Sequence, residues 1–373
     1  MPKALELDPA YLPALESLEN VKSLAVDRWH YRMLNHIARN EAYLRAIERA
    51  IRAAASRPGA STVSSQTVAG VTVLDIGTGT GILAVMAARA GASHVYACEV
   101  NGVLCDVARE VVERNGVADR VTVINKSSGA LEPGLDLPIG GVDVLVTELV
   151  DSGLLGERII HVLADARARG LLAEGGRVIP EGARVYAAVI ESDTIRRRSR
   201  FLPSGAVGIS AANVGISVDE PYTCEDISRL DHRLLTSPTA VLDVDFLEAG
   251  AILMAPPIET SLSAAHVRHA LLPLSVELSG CADAVAVWFD LYLDGERGDR
   301  DVVSTRPERR SRGDASGWDA GIYFSSGAEL QSGDVVTLGA SPGRDRLHLT
   351  LNGEQGMASP AAADPTSGID RAI

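Results

Sequence analysis

Residues 71–81, VTVLDIGTGTG, decide the fold of this chain. A strand-like, mainly apolar run ends at Ile76, and Gly77, Gly79 and Gly81 follow it before a helical pattern begins. Glycine allows the backbone to turn tightly and to approach a ligand closely. The stretch therefore predicts the first strand and the ligand-binding loop of an α/β domain.

Strand-like and helical patterns alternate from this loop onward. A helical pattern over 82–89 is followed by the strand-like run HVYACEV, by a second helical pattern over 103–114, and by the runs RVTVINK and VDVLVTE. Strict alternation predicts a parallel, doubly wound, Rossmann-like sheet. Apolar residues at helical spacing within 39–54 predict one more helix that packs against this domain.

After residue 182 the pattern of apolar and polar residues changes. Short alternating runs, such as VAVWFDLYLD and RLHLTLNG, predict the antiparallel strands of a second domain. The final residues are small, polar and proline-containing, so we expect a disordered tail. The predicted organisation is an N-terminal segment at 1–38, an α/β domain at 39–182, an antiparallel domain at 183–353 and a flexible tail at 354–373.

Composition narrows the class of protein. A chain of 373 residues, with 46% hydrophobic and 23% charged residues, is typical of a soluble globular protein of two domains. No apolar run reaches the roughly 18 residues of a membrane span. No secretory signal is visible either, so we expect a cytoplasmic protein without membrane contact. The net charge of -14 argues against a nucleic-acid partner, and four cysteines without paired spacing predict no metal site.

An acidic residue, Glu99, follows the second predicted strand. A carboxylate at this point can accept hydrogen bonds from both hydroxyls of a ribose. The glycines and Glu99 together therefore predict an adenosine site. A GxGxG loop alone is a weak signal that also fits a structural turn. A nicotinamide enzyme would more typically show GxGxxG, whereas the present spacing favours S-adenosylmethionine. Asp75, Gly77, Gly79 and Glu99 are the candidate cofactor-binding residues of this half.

A second motif, LVTELVDSGLLGE at 145–157, places two carboxylates at the two ends of a loop. Glu148 follows a predicted strand and Glu157 closes the loop. Two carboxylates that are brought together repel each other, so a fold that holds both usually places a cation between them.

The chain resembles the protein arginine methyltransferase family. The resemblance rests on motifs in family order: WHYRMLNHIARNEAY, VLDIGTGTG, Glu99, VINKSS, VTELVDSGLLGE and LLAEGGRVIPEGARVYAAVIES. INKSS and TELVDSGLLGE are most similar to the branch that stops at monomethylarginine. The resemblance implies an S-adenosylmethionine-binding domain followed by a β-barrel-like domain. It also implies a dimerisation arm at about 198–237, and hence a homodimer.

The resemblance also assigns roles to individual residues. Glu148 and Glu157 match the two glutamates that grip a substrate guanidinium, whose planar fork offers paired donors to carboxylates. Arg39 matches the ligand of the cofactor's methionine carboxylate. His30 lies in the cofactor-covering segment, where it either contacts the cofactor or only packs. Ser127 and Ser128 match residues that contact adenine, although they equally fit a solvated turn. Trp318 matches a residue that is expected at the substrate.

One departure concerns the proton. Much of the family has a histidine beside the second glutamate, and Gly317 stands in its place here. The guanidinium loses its proton only as the new bond forms, so Glu157 or Asp319 is the expected acceptor.

The resemblance leaves the substrate open. Lysine occurs only at Lys3, Lys22 and Lys126, a bias typical of a GC-rich bacterium, in which small-molecule biosynthesis is the expected role. We therefore expect free L-arginine, or a small guanidino relative, to give an ω-N-monomethyl product, with arginine in proteins or peptides as the runner-up. Two other classes stay open: a non-catalytic S-adenosylmethionine-binding module, supported by the missing histidine, and a dehydrogenase, which the glycine spacing disfavours.

Overall fold

The computed structural model describes residues 29–56, 70–200, 222–246, 270–294, 301–307, 317–325, 327–343 and 346–352. Most of the N-terminal segment, the greater part of the arm expected at about 198–237 and the whole tail lie outside these residues. The arm, the disorder of the tail and the domain boundaries therefore stay predictions.

A five-stranded parallel sheet forms the first half of the fold, as the alternation of patterns predicted. Its strand order is β3-β2-β1-β4-β5, so β1 lies between β2 and β4 and the order reverses beside it. Ile76 at the end of β1 pairs with Thr147 at the end of β4, which brings the glycine loop next to Glu148. The strands are β1 Thr72–Ile76, β2 His94–Cys98, β3 Val121–Ile124, β4 Val142–Thr147 and β5 Leu172–Ile179.

Helices follow where the periodicity placed them. The helix predicted over 82–89 coincides with α3, and the one predicted over 103–114 starts one residue earlier, as α4. Asn101 caps α4 by accepting the backbone N–H of Val103 on its side-chain oxygen at 3.0 Å. No helix in the described ranges is long and apolar enough to cross a membrane. The α-helices are α1 Trp29–Leu34, α2 Ile37–Ala55, α3 Ile82–Arg89, α4 Gly102–Arg114, α5 Ile159–Ala168 and α6 Asp193–Ser199, with 3-10 turns at Ser128–Ala130 and Ile227–Arg229.

The second half consists of antiparallel sheets, which confirms the predicted fold class. In the largest sheet, β6 pairs along its length with β12 and β9, and the path β7-β14-β12-β6-β8 is extended by β13 beside β12. Two smaller sheets join β10, β16 and β17, and β11 and β15. The strands are β6 Gly182–Glu191, β7 Thr223–Glu225, β8 Arg233–Leu234, β9 Thr239–Asp245, β10 Ala270–Ser275, β11 Gly280–Cys281, β12 Ala284–Tyr292, β13 Val302–Ser304, β14 Ala320–Phe324, β15 Glu329–Leu330, β16 Val335–Pro342 and β17 Leu347–Asn352.

Helix α2 connects the two halves. Its buried face carries Tyr43 and Ile47, which belong to the same apolar core as Phe289 of β12. Its outer face carries Arg49, which forms ion pairs with Asp294 and Asp301 of the antiparallel domain. Because one helix packs against both halves, the region between them has fixed walls.

Phe289 offers a test of this shared core. It is fully buried and meets the Trp318 ring edge-on, with 5.7 Å between ring centroids. Phe289→Ala should lower the free energy of unfolding by about 3–5 kcal/mol, the usual cost of removing a buried phenyl ring. Phe324→Ala is the matched control, because Phe324 is 36% exposed, and should cost less than about 1 kcal/mol. Urea unfolding followed by tryptophan fluorescence measures both, and equal losses would contradict the shared core.

Candidate active site

A cavity of about 930 Å³ opens at the carboxyl ends of the parallel strands. Its walls come from α1 and α2, from the loops that follow β1 to β4, and from the start of α5. Open α/β sheets bind their ligands at this edge, where the strand order reverses. The sequence-predicted residues on the cavity wall are His30, Arg39, Gly77, Gly79, Glu99, Ser127, Ser128, Glu148 and Glu157.

The glycine loop has the backbone conformation that its sequence predicted. Gly77 and Gly79 have φ angles of 72° and 54°, in the left-handed region that favours glycine. A Cβ atom on Gly77 would lie 2.8 Å from the Leu149 side chain, so this position has no room for another residue. At Gly79, by contrast, no described atom lies within 4 Å of where a Cβ would stand. The backbone at Gly79 is thus open to a ligand in the cavity.

Asp75 supports this loop from below and is not on the cavity wall. It is fully buried, and its Oδ2 accepts a hydrogen bond from the Thr78 hydroxyl at 2.6 Å. Burial raises the pKa of Asp75 to about 7, although the Thr78 bond acts in the opposite direction. The bond to Thr78 holds the turn of the glycine loop, and the role of Asp75 as a cofactor ligand stays a prediction.

Glu99 is held in place by two backbone N–H groups. Its Oε2 accepts the N–H of Gly79 at 3.0 Å, and its Oε1 accepts the N–H of Asn101 at 2.9 Å. Each carboxylate oxygen has a second lone pair for another donor. The pair of oxygens is therefore pre-set for two neighbouring hydroxyl groups. Ser128 lies further along the same wall, and its carbonyl oxygen accepts a hydrogen bond from Arg169 at 2.9 Å.

The two glutamates of the 145–157 loop share an environment that disfavours their charges. Burial raises the pKa of Glu148 to about 7, partly offset by Arg39. Burial raises the pKa of Glu157 to about 8, with further contributions from the nearby charges of Glu148, Asp151 and Glu99. Near neutral pH the pair therefore retains part of its protons. A cationic ligand between the two carboxyl groups would favour their ionised forms.

Arg39 is paired with Glu148 in this structure. Its Nη2 lies 3.0 Å from Glu148 Oε2, and both side chains are almost completely buried. Its Nη1 donates to the Asn40 side chain at 2.7 Å, and its guanidinium lies 5.0 Å from the centre of the Tyr43 ring. Within the described part of the chain, Arg39 Nε and Glu148 Oε1 are buried without a hydrogen-bond partner. Arg39 was expected to bind a cofactor carboxylate, and the sequence did not predict its pairing with the first glutamate.

Trp318 lies behind the glutamate loop. It is buried, and its indole N–H donates to the Val150 carbonyl oxygen at 2.7 Å. This bond holds the loop, and the substrate contact expected of Trp318 stays a prediction. Beside it, the backbone N–H of Gly317 donates to His36 Nδ1 at 3.2 Å, and a Cβ on Gly317 would lie 3.2 Å from Met33. The space beside Gly317 is accordingly bordered by Met33 of α1 and by His36, which lies between α1 and α2.

Several wall residues had not been predicted from the sequence. Lys126 follows β3 and is engaged by Asp136 at 2.8 Å. Arg158, His161 and Asp165 come directly after Glu157, and the last two lie one turn apart on α5. The sequence contained one signal for these residues, which was a helix start next to the predicted site residue Glu157. The first turn of such a helix borders the same cavity as that residue.

Comparison with known proteins identifies the family. Residues 60–182 match the family model of the ribosomal protein L11 methyltransferase (PrmA). Over 340 residues the chain is 34% identical to arginine N(omega)-methyltransferase of Streptomyces achromogenes subsp. streptozoticus, covering 90% of this chain and 80% of that protein. The chain belongs to the protein arginine N-methyltransferase family.

Two further relatives agree with this assignment. Protein arginine N-methyltransferase 9 of Mus musculus is 31% identical over 367 residues, which cover 91% of this chain but only 39% of the mouse protein. The solved structure of Arabidopsis thaliana protein arginine methyltransferase 10 has a TM-score of 0.63 at 23% identity. That comparison covers 88% of this chain and 93% of the plant chain, and it shows a shared fold.

The enzyme is therefore an S-adenosylmethionine-dependent N-methyltransferase. The residues present fit that cofactor. Glu99 has free lone pairs where the two ribose hydroxyls need acceptors, and the open backbone at Gly79 permits a close approach. Ser127 and Ser128 line the same end of the cavity, while His30 and Arg39 line it from α1 and α2.

Glu99→Ala tests the ribose assignment. The substitution should weaken S-adenosylmethionine binding by about 1–3 kcal/mol, because it removes charge-assisted hydrogen bonds to the ribose. Isothermal titration calorimetry measures the affinity, and circular dichroism checks that the fold is retained. Glu113→Ala, at an exposed position of α4, is the control and should leave the affinity unchanged. An unchanged affinity for Glu99→Ala would remove Glu99 from the site.

Glu157→Gln tests the raised pKa without any ligand. Below the ordinary glutamate value of 4.5, Glu157 is protonated in both folded and unfolded states, so its charge has no effect on stability. As the pH rises towards 8, the unfolded state releases the proton more readily, and the folded state loses stability. Glu157→Gln should therefore raise the melting temperature, and this rise should grow from pH 5 to pH 9.

Glu113→Gln serves as the control for this measurement, because Glu113 is exposed. Its melting temperature should follow that of the natural protein at every pH. A gain for Glu157→Gln that is the same at pH 5 and pH 9 would show that Glu157 has an ordinary pKa.

Proposed function

We propose that this enzyme transfers one methyl group to the guanidino group of free L-arginine, or of a small guanidino compound, and so forms an ω-N-monomethyl product. The observation that carries the proposal is a pair of carboxyl groups, buried at Glu148 and half-buried at Glu157, on the wall of a cavity whose glycine loop and Glu99 fit an adenosine. A guanidinium is a permanent planar cation with paired donors, and two converging carboxylates are its natural complement.

Glu148 and Glu157 orient the guanidino group. Together they localise its charge and direct one terminal nitrogen towards the cofactor side of the cavity. Bound S-adenosylmethionine supplies the electrophilic methyl group of its sulfonium. Because the guanidinium and the sulfonium are both cationic, the two carboxylates also offset their repulsion in a site where burial strengthens every charge interaction. Alignment of the nitrogen with the methyl group supplies a further part of the acceleration.

Glu157 is the proton acceptor in this proposal. The attacking nitrogen would lose a proton as the carbon–nitrogen bond forms and the bond from the methyl group to the sulfonium sulfur breaks, and an ionised Glu157 beside the guanidino group could take that proton. The other candidate, Asp319, is engaged by both terminal nitrogens of Arg32 at 2.8 and 2.9 Å. A mechanism through Glu157 does not require the histidine that Gly317 replaces.

Three observations support free arginine as the substrate. The Streptomyces relative, named an arginine N(omega)-methyltransferase, aligns with 90% of the chain. The near absence of lysine is typical of a GC-rich bacterial source, in which biosynthesis of small natural products is a common use of such enzymes. The motifs INKSS and TELVDSGLLGE resemble those of the monomethylating branch. The alternative, arginine in proteins or peptides, is supported by the relationship to mouse protein arginine N-methyltransferase 9.

The proposal includes the setting of the enzyme. A homodimer follows from the family resemblance, with the arm at about 198–237 docking on the second subunit. A cytoplasmic location fits Cys98, Cys105 and Cys281, which form no disulfide within the part of the chain that the structure describes. Light scattering would test the dimer.

Product analysis tests the substrate. The enzyme is incubated with S-adenosylmethionine and, in separate reactions, with L-arginine, agmatine and a glycine-arginine-rich peptide, and the products are identified by mass spectrometry. We expect monomethylated L-arginine as the main product. Methylation of the peptide without product from free arginine would reverse the order of substrates. No transfer to any guanidino compound, with intact cofactor binding, would favour the non-catalytic binding module.

Glu148→Gln and Glu157→Gln test the carboxylate pair. Each keeps the shape of the side chain but removes its charge, so each should lower turnover by about a hundredfold or more, while S-adenosylmethionine affinity stays nearly unchanged. Glu132→Gln, an exposed position outside the cavity wall, is the control. Near-normal turnover in both site variants would show that the pair does not hold the guanidinium.

A further inference from the structure

Asp151 lies in the middle of the loop that carries the two glutamates. Its Oδ1 accepts the backbone N–H of Gly156 at 2.9 Å, and its Oδ2 accepts a hydrogen bond from the Tyr222 hydroxyl. Gly156 directly precedes Glu157. The Asp151 carboxylate therefore holds the peptide unit between Leu155 and Gly156, one residue before Glu157, and Tyr222 holds the carboxylate.

The loop is packed closely around these contacts. A Cβ atom on Gly156 would lie 2.2 Å from Asp151 Oδ2, and a Cβ on Gly153 would lie 2.6 Å from the Tyr222 hydroxyl oxygen. Both glycines are thus required for the approach of the two side chains. The Leu154 N–H donates to the Asp151 backbone oxygen at 2.9 Å, which closes a turn inside the loop. This arrangement leaves the path of the chain between Asp151 and Glu157 little freedom.

Tyr222 is anchored in the antiparallel domain. It stands directly before β7, which pairs with β14, and its ring lies 5.1 Å from that of Tyr323 on β14. The contact between Tyr222 and Asp151 therefore joins the second domain to the glutamate loop of the first. This contact is separate from the Trp318 bond to Val150, which holds the residue directly before Asp151.

Asp151 also acts on Glu157 through its charge. Burial raises the pKa of Asp151, although hydrogen bonds from the loop backbone act in the opposite direction. Its negative charge is one of the three that raise the pKa of Glu157, after burial. Geometry and charge thus point to the same pair of residues.

We propose that Asp151, held by Tyr222, is the positioning residue for Glu157: it sets the direction of this carboxylate, and its charge acts on the same group. The inference rests on the proposed function for its effect on catalysis. The coupling between Asp151 and Glu157 can be tested without it.

The catalytic test separates the charge of Asp151 from its geometry. Asp151→Asn retains an oxygen for the Gly156 N–H and a group that can donate to the tyrosine oxygen, so kcat should stay within about threefold of the natural enzyme. The loss of its charge should move the pH dependence of KM for L-arginine to lower pH by about half a unit or more. Asp151→Ala loses charge and geometry together and should lower kcat by about a hundredfold.

Tyr222→Phe removes only the hydroxyl that holds the carboxylate. It should lower kcat by about tenfold with unchanged cofactor affinity, because Glu157 is then less well directed. Asp106→Asn, which alters an exposed carboxylate on α4, is the charge control and should leave the pH profile where it is. A profile for Asp151→Asn that superimposes on that of the natural enzyme would overturn the inference, as would a normal kcat for Asp151→Ala.

A double-mutant cycle measured by melting temperature gives a second readout that does not require activity. The gain in melting temperature of Glu157→Gln between pH 5 and pH 9 is measured alone and in the Asp151→Asn background. Coupling between the two carboxyl groups should make this gain smaller in the double variant, by about a third or more. Equal gains would overturn the inference. If no guanidino compound is methylated but the gains differ, the proposed function fails while the Asp151–Glu157 coupling stands.

Discussion

The ion pair between Arg39 and Glu148 is the interaction around which the site is built. It joins α2, which packs against both domains, to the loop that follows β4, the strand beside the central strand of the parallel sheet. A buried charge is tolerated only when it is paired, so neither residue can be removed without leaving the other uncompensated. The pairing is also incomplete, because Glu148 Oε1 and Arg39 Nε have no hydrogen-bond partner among the described residues. Both residues line a cavity in which a cationic group and a carboxylate-bearing cofactor are expected.

Holding acidic groups in this cavity opposes folding. The pKa values of Glu148 and Glu157 are raised chiefly by burial, which means that the folded chain keeps carboxyl groups where their charged forms are disfavoured. The surrounding structure offsets this cost with contacts that have no chemical role, such as the buried Phe289 and the Trp318 bond to Val150. Proteins commonly lose some folding stability at a functional site, and packing in the core compensates for that loss.

The two kinds of family match cover different parts of the molecule. The model of the ribosomal protein L11 methyltransferase (PrmA) covers residues 60–182, the half that contains the glycine loop and Glu99. The arginine methyltransferase of Streptomyces achromogenes subsp. streptozoticus aligns with 90% of the chain, including the antiparallel domain. A cofactor fold is thus shared between methyltransferases of different substrates, and what is added around it decides the chemistry. Here the additions are the N-terminal helices that contribute Arg39 and the strands that contribute Tyr222 and Trp318.

The sequence by itself determined the parallel sheet, the helix at 82–89, the left-handed glycines and the presence of Glu99, Glu148 and Glu157 at one edge. These features follow from local periodicity and backbone conformation, and from the rule that parallel strands present their carboxyl ends together. Only the tertiary structure decided that Arg39 pairs with Glu148 and that Asp75 lies beneath the glycine loop. It also decided that Trp318 lies behind the glutamate loop and that Tyr222 reaches Asp151 in that loop. Tyr222 and Asp151 are 71 residues apart in the chain. Periodicity reports which face of an element is buried, but which side chains meet across two elements depends on how the elements pack, and no local pattern records that.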